Sequence, residues 1–169
     1  MSQLIEPDIK IIPLKIWMAR RLAAIHCQSF ALDPWSHETF RELLDNNYVS
    51  GWLIIVNGRV AGFLMIRCIE GEAEILTFAI LPKWQRHRLG TALLKTLREW
   101  AQNNSIIAVF LEVAVSNIAA LGLYHSQGFT SVGTRRGYYT YKDGSSVDAE
   151  LMALRFLASP TGFEPVLPP

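Results

Sequence analysis

Residues 85–90, Gln-Arg-His-Arg-Leu-Gly, have the composition of an anion-binding turn. They follow an apolar, strand-like run at 75–80 and precede a helix-like run at 91–101. Because the first turn of a helix has free backbone N–H groups and the positive end of the helix dipole, a phosphate group binds favourably there. Cationic or ionisable side chains surround this turn: Lys83, Arg86, His87, Arg88 and Lys95. A solvated basic surface turn is the alternative interpretation, since the spacing matches neither a Walker loop nor a dinucleotide GxGxxG motif.

Glu112 is a carboxylate in an otherwise apolar, strand-like segment, Phe-Leu-Glu-Val-Ala-Val at 110–115. A carboxylate is costly to bury unless it is paired or has a function. Burial would raise its pKa and suit it to act as a general base near neutral pH. The alternative is a glutamate on the solvated face of an edge strand.

Tyr124 and Asn117 lie on the helix-like segment that follows. Tyr124 is a candidate general acid, because a phenol can give a proton to a leaving group. The alternative for Tyr124 is an aromatic side chain at the edge of the core. Asn117 stands where this helix begins, so it can cap the helix, bind a ligand, or do both.

The composition indicates a single globular domain. The chain has 169 residues, of which 50% are hydrophobic and 18% charged, and its formal net charge is +1. This length is sufficient to bury a core, and the small net charge argues against a general nucleic-acid-binding protein. No apolar run approaches the roughly 18 residues of a membrane span, and Glu6 and Asp8 interrupt the place of a signal peptide. We therefore expect a cytoplasmic protein that binds neither nucleic acid nor membrane directly.

No spacing of cysteines or histidines predicts a metal site. Cys27 and Cys68 each lie in an apolar segment, so we expect two reduced, buried thiols. The four histidines also lack metal-binding spacing and are interpreted as surface or packing residues.

The apolar periodicity predicts the element order β-α-α-β-β-β-α-β-α-β-β. Strands are expected at 9–14, 52–56, 60–69, 73–81, 106–115, 129–141 and 147–156, and helices at 16–30, 37–46, 89–101 and 118–127. Ser36 is a good N-cap for the second helix, and Asn57-Gly58 and Asp143-Gly144 favour hairpin turns. The first helix is expected to bury a stripe of Trp17, Leu22, Ile25 and Phe30. This order indicates an α/β (α+β) fold in which a central mixed, twisted sheet has helices on both faces.

The domain is expected to span residues 1–158. The remaining tail, 159–169, holds four of the eight prolines and follows the last predicted strand. We expect it to be disordered.

Two segments together resemble the Gcn5-related N-acetyltransferase (GNAT) superfamily. Residues 74–92 are similar to its cofactor motif, with the turn Gln/Arg-x-x-Gly-x-Gly/Ala, and residues 111–129 to its signature L-E-V-x-x-S-N-x-x-A-x-x-L-Y-x-x-x-G-F. Three further pieces resemble the RimI-type ribosomal-protein alanine N-acetyltransferases: Pro34-Trp35-Ser36 with Thr39-Phe40, Arg-Arg-Gly-Tyr-Tyr at 135–139, and Asp148-Ala149 with Met152-Ala153-Leu154. The resemblance covers about residues 8–156 and implies the GNAT acyl-CoA N-acyltransferase fold.

The resemblance also implies a reaction, the direct transfer of an acetyl group from acetyl-CoA to an amine, without a metal. This transfer needs a base for the amine proton, a hydrogen-bond donor for the oxyanion and a proton for the leaving thiolate. In enzymes of this branch the Glu of L-E-V is the general base and the Tyr of L-Y is the general acid. At these positions the chain has Glu112 and Tyr124.

Binding residues for both substrates are carried over in the same way. The implied acetyl-CoA contacts are the backbone of Phe78, Ala79 and Ile80 for pantetheine, the turn Arg86, His87, Arg88, Leu89, Gly90 and Thr91 for the pyrophosphate, and Asn117. The implied acceptor is the N-terminal amine, with alanine first, of a small-subunit ribosomal protein. Segments that flank the peptide groove in this branch correspond to Trp35, Arg135, Tyr138 and Tyr139.

Two positions depart from the pattern of the branch. Arg88 stands where the cofactor turn has its first glycine, and a side chain is a handicap there if the backbone needs a positive φ. Ala114 follows L-E-V, where the branch commonly has arginine. We expect weaker cofactor binding from the first departure and an altered wall near the base from the second.

Two other functions remain open from the sequence. The same chemistry on a lysine side chain or a small amine is one, and a non-catalytic acyl-CoA-binding regulatory module is the other, with Arg88 as its sequence support. Glu70, Glu72 and Glu74 could attract a basic substrate N-terminus or form an ordinary solvated cluster.

Overall fold

The computed structural model describes residues 7–140 and 144–156, which form one seven-stranded sheet with four α-helices. The strands are β1 (Ile9–Pro13), β2 (Val49–Val56), β3 (Arg59–Ile69), β4 (Glu72–Ile80), β5 (Ala108–Ala114), β6 (Thr130–Thr140) and β7 (Ser146–Arg155). The helices are α1 (Ala19–Ser29), α2 (His37–Asp45), α3 (Leu89–Asn103) and α4 (Ile118–Ser126). Short 3-10 turns at Ile16–Met18 and Pro82–Trp84 precede α1 and follow β4.

The strand order is β1-β2-β3-β4-β5-β7-β6, and the one parallel pair in this described sheet is β4 with β5. The connection between them is α3, as expected for a crossover between parallel strands. All other neighbouring pairs are antiparallel. The mixed sheet and the predicted order of elements are thus confirmed.

Each face of the sheet has its own hydrophobic core. On one face, Leu93, Leu94 and Leu97 of α3 and Tyr124 of α4 pack with alternate residues of the central strands. On the other face, Leu22 of α1 and Phe40 of α2 pack with a second set from β2, β3 and β4. We call these the α3/α4 face and the α1/α2 face.

The first helix differs from its prediction. Residues 16–18 form a 3-10 turn and the α-helix begins only at Ala19, so residue 17 is out of phase with the later stripe. Leu22 and Ile25 are buried as expected, but Trp17 is 72% and Phe30 38% exposed. The interpretation of Trp17 was wrong because the helical spacing that linked it to Leu22 crosses the boundary between the 3-10 turn and α1.

The cysteine prediction is partly wrong. Cys27 and Cys68 are both free, but Cys27 is exposed and Cys68 is half-buried. On α1 the neighbours Ile25 and His26 face inward and residue 27 faces solvent, because each helical residue is turned about 100° from the last. Apolar neighbours in sequence therefore do not imply burial on a helix.

Parts of two predictions lie outside the described residues. The last hairpin is present as β6 and β7, but its turn includes residues 141–143, and the predicted disordered tail, 159–169, is likewise outside. No helix of the described chain is both long and apolar enough to cross a membrane.

Candidate active site

A gap between β4 and β5 is the central feature of the site. The two strands pair over three residue pairs, the last of which joins Glu74 to Phe110. Directly after this pair β4 has a β-bulge, in which Leu76 is the extra residue relative to β3. Because a bulge bends its strand and increases the twist, β4 turns away from β5. The implied pantetheine partners, Phe78, Ala79 and Ile80, all lie in this diverging part of β4.

The turn after β4 contains two left-handed residues. Arg86 has φ of 63° and Arg88 has φ of 59°, and α3 begins at the next residue, Leu89. Turns with such backbone angles group successive N–H groups into a concave surface that suits an anion. This surface continues into the N-terminus of α3, which attracts negative charge by its dipole. The side chains of Arg86, His87 and Arg88 are exposed.

The departure at Arg88 therefore has a structural consequence. Its positive φ is the backbone angle that glycine adopts readily. An L-residue in this conformation costs roughly 1–2 kcal/mol. The chain accepts this cost while placing one more cation beside the anion-binding turn.

Two side chains stabilise the turn, one by a hydrogen bond to the end of β4 and one by a contact within the turn. The amide Nε2 of Gln85 donates to the carbonyl of Ile80 at 3.1 Å, and the Nδ1 atom of His87 lies 2.7 Å from the carbonyl of Gln85. His87 is thus engaged within the turn as well as exposed. The side chain of Leu89 is buried in the core, and that of Thr91 is half-buried. A ligand could therefore contact the backbone of Leu89 but not its buried side chain.

Gly90 sets how closely α3 approaches α4 and β4. A Cβ atom built on Gly90 would lie 2.9 Å from Cδ2 of Leu123 and 3.4 Å from Cζ of Phe78. The first value is shorter than real Cβ contacts, so a side chain at residue 90 would force the Leu123 side chain to shift. The absence of a side chain at this position lets the start of α3 lie against the gap.

Asn117 lies at the same edge of the sheet as the basic turn. Parallel β4 and β5 end there together, and α4 begins directly after β5. The Oδ1 atom of Asn117 accepts a hydrogen bond from the Ala120 backbone N–H at 3.1 Å, so Asn117 caps α4. Its side chain is exposed, so the cap leaves its amide group open to solvent.

Glu112 lies on the α1/α2 face. Its neighbours Leu111 and Val113 point into the α3/α4 core, so strand alternation turns Glu112 to the opposite side. The carboxylate is only 19% exposed and forms an ion pair with Arg135, whose Nε lies 3.0 Å from Oε1. A hydrogen bond from Tyr138 also reaches it and raises the pKa of the Tyr138 phenol, because ionisation would lose that bond. Glu112 is thus half-buried and paired, whereas the apolar strand suggested an isolated carboxylate.

Arg135 and Tyr138 reach Glu112 from a strand that is not its neighbour. Strand β7 lies between β5 and β6, and β6 has two extra residues between the pairs Arg135–Ala149 and Tyr139–Val147. We call this irregular segment, residues 135–139, the β6 bulge.

The β6 bulge is held in place by a side chain of β7. Gly137 has φ of 58°, and its N–H donates to Oδ1 of Asp148 at 2.8 Å. Ala149 opposite Arg135 is small and fully buried, so side chains from β6 can pass over β7. The hydroxyl of Tyr139 extends to the Glu112 backbone carbonyl at 3.4 Å. The bulge thus carries three of the predicted substrate-binding residues to the predicted base.

Tyr124 lies on the other face, at the same gap. It is 7% exposed, and its ring contacts Phe78 and Phe129 with centroid distances of 6.3 and 5.5 Å. Burial, together with the neighbouring Tyr139, raises the pKa of the Tyr124 phenol far above its usual range. The phenol therefore keeps its proton at neutral pH. Tyr139 interacts electrostatically with Tyr124, and its hydroxyl donates to the backbone carbonyl of Glu112, so this one side chain links the surroundings of the two candidate catalytic residues.

Trp35 belongs to an aromatic cluster between α1 and α2. Its ring stacks on His26 at 5.0 Å, and its backbone N–H donates to Nδ1 of His26 at 3.1 Å. Burial lowers the pKa of His26 to about 4, against the opposing charge of Asp33, so the imidazole is neutral at physiological pH. The neutral ring can accept the Trp35 N–H, which fixes the loop between the two helices. This role of His26 had no signal in the sequence beyond its place near Pro34-Trp35.

The acidic residues 70, 72 and 74 line a groove of about 510 Å³ at the base of β4 and β5. Arg67 forms an ion pair with Glu74, which reduces the free negative charge there. Glu74 also contributes to the raised pKa of Tyr138, so this groove adjoins the Glu112 site.

The contacts around Glu112 were not predicted. The motif indicated a base at Glu112 and substrate residues at 135–139, but not that Arg135 pairs with that base. Ala114, the second departure, pairs with Ala149 across β5 and β7 and is half-buried. Among the described residues, no group of three or more metal-ligating side chains is placed to hold a metal ion.

Comparisons with known proteins identify the family of this chain. The model of the Acetyltransferase (GNAT) family matches residues 19–129. The [Ribosomal protein bS18]-alanine N-acetyltransferase of Escherichia coli is 37% identical over 133 residues, which is 78% of this chain and 88% of that protein. The N-alpha-acetyltransferase RimI of Mycobacterium tuberculosis is 37% identical over 129 residues, which is 72% of this chain and 78% of that protein.

Solved structures agree with this fold. The crystal structure of the ribosomal-protein-S18-alanine N-acetyltransferase from Escherichia coli superimposes with a TM-score of 0.85 at 31% identity, covering 92% of this chain and 99% of that chain. Arabidopsis thaliana NAA60 in complex with acetyl-CoA gives a TM-score of 0.79 at 18% identity, covering 88% and 98%, and shares the fold.

Proposed function

This chain belongs to the GNAT family of acetyltransferases, whose acetyl donor is acetyl-CoA, and from this premise we propose that it acetylates a protein N-terminus. The proposed acceptor is the α-amine of a terminal alanine, in ribosomal protein bS18. The single observation that carries this proposal is the 37% identity to the bS18-alanine N-acetyltransferase of Escherichia coli. A ribosomal-protein acceptor would place the reaction in the cytoplasm.

Acetyl-CoA would lie in the gap between β4 and β5. Its pantetheine would follow the diverging backbone of Phe78, Ala79 and Ile80, whose open side no strand of the described chain covers. Its pyrophosphate would bind the left-handed turn at 86–88 and the N–H groups at the start of α3. Asn117, at the same edge, would contact the donor while capping α4.

Glu112 would take a proton from the acceptor amine. An α-ammonium group has a pKa near 8, so most of it is protonated at neutral pH and cannot attack. The Glu112 carboxylate accepts that proton, directly or through a water, and the neutral amine then attacks the thioester carbonyl carbon. Residues Trp35, Arg135, Tyr138 and Tyr139 would hold the acceptor peptide on the α1/α2 face.

Tyr124 would protonate the departing sulfur. As the new C–N bond forms and the C–S bond breaks, the thiolate receives the phenolic proton. The nitrogen loses its second proton when the amide forms, which balances the proton that Tyr124 gave. The raised pKa of Tyr124 ensures that the phenol holds this proton when the reaction begins.

The test is an acceptor comparison with purified full-length protein. Free-thiol release from acetyl-CoA is followed with an alanine-starting bS18 N-terminal peptide and with its Nα-blocked, lysine-containing version, and mass spectrometry locates the acetyl group. We expect turnover on the free peptide with the acetyl group on the α-amine, and none on the blocked one. Turnover on the blocked peptide would assign the enzyme to lysine side chains. Acetyl-CoA binding without turnover on any amine would support a non-catalytic module.

A further inference from the structure

Arg135 occupies the carboxylate to which the acceptor amine must bind. Its Nε lies 3.0 Å from Oε1 of Glu112, so the predicted base already has a cationic partner in the free enzyme. The substrate α-ammonium is also a cation that donates hydrogen bonds. The Arg135 guanidinium and the substrate ammonium cannot both occupy the same side of the Glu112 carboxylate.

We propose that Arg135 is an exchangeable counterion of Glu112, which the α-ammonium group of the acceptor replaces when it binds. The proposal rests on the proposed function, since it takes Glu112 as the base for an α-amine. Arg135 is a positioning residue here, because it acts through Glu112 and not on the reacting atoms.

The exposures of the two partners support an exchange. The Arg135 side chain is 54% exposed, whereas that of Glu112 is 19% exposed. Ion pairs with an exposed partner contribute little to stability, because water solvates the cation when the pair opens. Glu112 by contrast would be a poorly solvated charge if left alone. The structure therefore favours an arrangement in which Glu112 always has a cationic partner and Arg135 leaves it easily.

Arg135 has a second contact within the β6 bulge. While it pairs with Glu112, its guanidinium carbon lies 5.3 Å from the centroid of the Tyr138 ring, a cation–π contact that does not depend on Glu112. Gly137, anchored to Asp148, fixes the backbone of the bulge so that only the side chain needs to move. Arg135 can thus leave Glu112 while the bulge keeps its backbone.

The exchange also brings the reacting proton to the base. When the ammonium replaces the guanidinium, the cation in contact with Glu112 is the group that will give up its proton. After the transfer Glu112 is neutral, and Arg135 can return only when the proton has left.

Other charged and titratable groups lie around this pair. These are Glu74 of β4 with its partner Arg67 of β3, and Tyr138 and Tyr139 of β6, while Asp148 of β7 binds the backbone of the bulge and Tyr124 of α4 lies on the other face of the sheet. Arg67 is paired with Glu74 and Asp148 with a backbone N–H, so Arg135 is the cation in contact with Glu112 among the described side chains.

The test compares kcat and the KM for the α-amine peptide in wild type, Arg135→Met and Arg136→Met. If the ammonium has to displace Arg135, removing Arg135 removes a competitor for Glu112, and we expect the KM to fall by about threefold, as for the loss of a weak ion pair. The value of kcat should stay within about twofold of wild type, because Arg135 has already left Glu112 in the substrate complex. Arg136→Met removes the same charge from the same bulge and measures the general effect of charge.

Each combination of the two constants decides the proposal. A fall in KM beyond that of Arg136→Met, with kcat retained, supports the exchange. An unchanged or higher KM would mean that Arg135 does not compete with the ammonium, and a large loss of kcat would mean that Arg135 still acts on Glu112 in the complex. Either result overturns the proposal.

A measurement without turnover separates this proposal from the proposed function. The side-chain Nε–Hε resonance of Arg135, assigned by its absence in Arg135→Lys, is followed by NMR as CoA and the peptide are added. We expect the chemical shift of this resonance to report the ion pair with Glu112 in the free enzyme and to move towards that of a solvent-exposed arginine in the dead-end complex. An unchanged resonance with bound peptide would contradict the exchange even if wild type acetylates α-amines. If wild type acetylates no amine, the proposed function fails by itself.

Discussion

The donor side and the acceptor side of the gap are built by different means. On the donor side the proposed binding surface is mostly backbone: a β-bulge at Leu76, left-handed residues at 86 and 88, and the start of α3 with Gly90. On the acceptor side it is mostly side chains, which meet at Glu112 from β5 and β6 across the intervening β7. A cofactor with a constant phosphate and amide chain suits a backbone site, whereas a side-chain site can be adjusted to its acceptor.

This difference predicts that the two sides fail in different ways. Changes to backbone geometry on the donor side should weaken acetyl-CoA binding, and changes to side chains on the acceptor side should alter turnover or the KM for the peptide. Tyr124 stands between the two sides, since it packs on Phe78 of β4 and adjoins Tyr139 of the β6 bulge.

After Glu112 itself, the largest effect in this comparison is expected at Tyr124. The variant Tyr124→Phe keeps the ring contacts with Phe78 and Phe129 but loses the proton that the sulfur needs. We expect kcat to fall by about 100-fold, with the affinity for acetyl-CoA retained. Steady-state kinetics and calorimetric titration with acetyl-CoA measure the two quantities. Tyr48→Phe, at an exposed tyrosine, is the matched control, and a kcat of Tyr124→Phe close to that of the control would exclude the acid role.

The next effect tests the donor side through Gly90. In Gly90→Val the new side chain overlaps the end of the Leu123 side chain and crowds Phe78, so the packing at the start of α3 must rearrange. Such overpacking typically costs about 1–3 kcal/mol of stability, and we expect the dissociation constant of acetyl-CoA to rise by about tenfold, since each 1.4 kcal/mol is tenfold. Gly122→Val on α4 is the control, because no atom lies within 4 Å of a Cβ at that glycine. Equal acetyl-CoA affinities in the two variants would remove the argument for close approach at Gly90.

The acceptor side should also respond to acid, through His26. Its folded pKa of about 4 lies below the ordinary value of 6.5, so the unfolded chain binds the proton more readily. Stability is therefore fully present above pH 6.5 and falls as the pH drops towards 4. By linkage the loss between pH 7 and pH 5 is about 2 kcal/mol.

Urea unfolding at the two pH values tests this, with His26→Gln as the reference. The variant lacks the titrating ring and should lose less stability between pH 7 and pH 5. If wild type and variant show the same pH dependence, the buried neutral imidazole does not hold the loop of Trp35.

The smallest effect is expected at Arg88, where charge and backbone can be separated. Arg88→Ala removes the cation and keeps the cost of a positive φ, whereas Arg88→Gly removes both. We expect the glycine variant to be more stable than the alanine variant by about 1 kcal/mol. Urea unfolding measures the stabilities, and alanine equal to or above glycine would mean that residue 88 is not left-handed in solution.

The starts of the helices were predicted well from the sequence because their signals are local. Apolar periodicity, the basic turn and the N-caps at Ser36 and Asn117 each depend on a few neighbouring residues, and the structure has helices beginning directly after both caps. The same local reasoning failed at Trp17, where a 3-10 turn changes the phase of the helix.

The acceptor region could be predicted only in part because its contacts are non-local. Glu112 and Arg135 are 23 positions apart, on strands that are not neighbours, and they meet through a bulge whose register depends on Asp148 and Gly137. No pattern within β6 indicates that its arginine turns back over β7. Exposure of Cys27 and burial of His26 likewise depend on which way one turn of α1 faces.

The most direct test of Glu112 as the base is the variant Glu112→Gln. Its acetyl-CoA binding is measured by calorimetry, and its turnover is measured on the alanine-starting peptide. The substitution keeps the shape of the side chain and removes its ability to accept the amine proton. We predict a dissociation constant for acetyl-CoA within about twofold of wild type, because the donor site is backbone, and a kcat lower by at least roughly 100-fold. A kcat within a few-fold of wild type would contradict the assignment of Glu112 as the base and, with it, the division between the two sides.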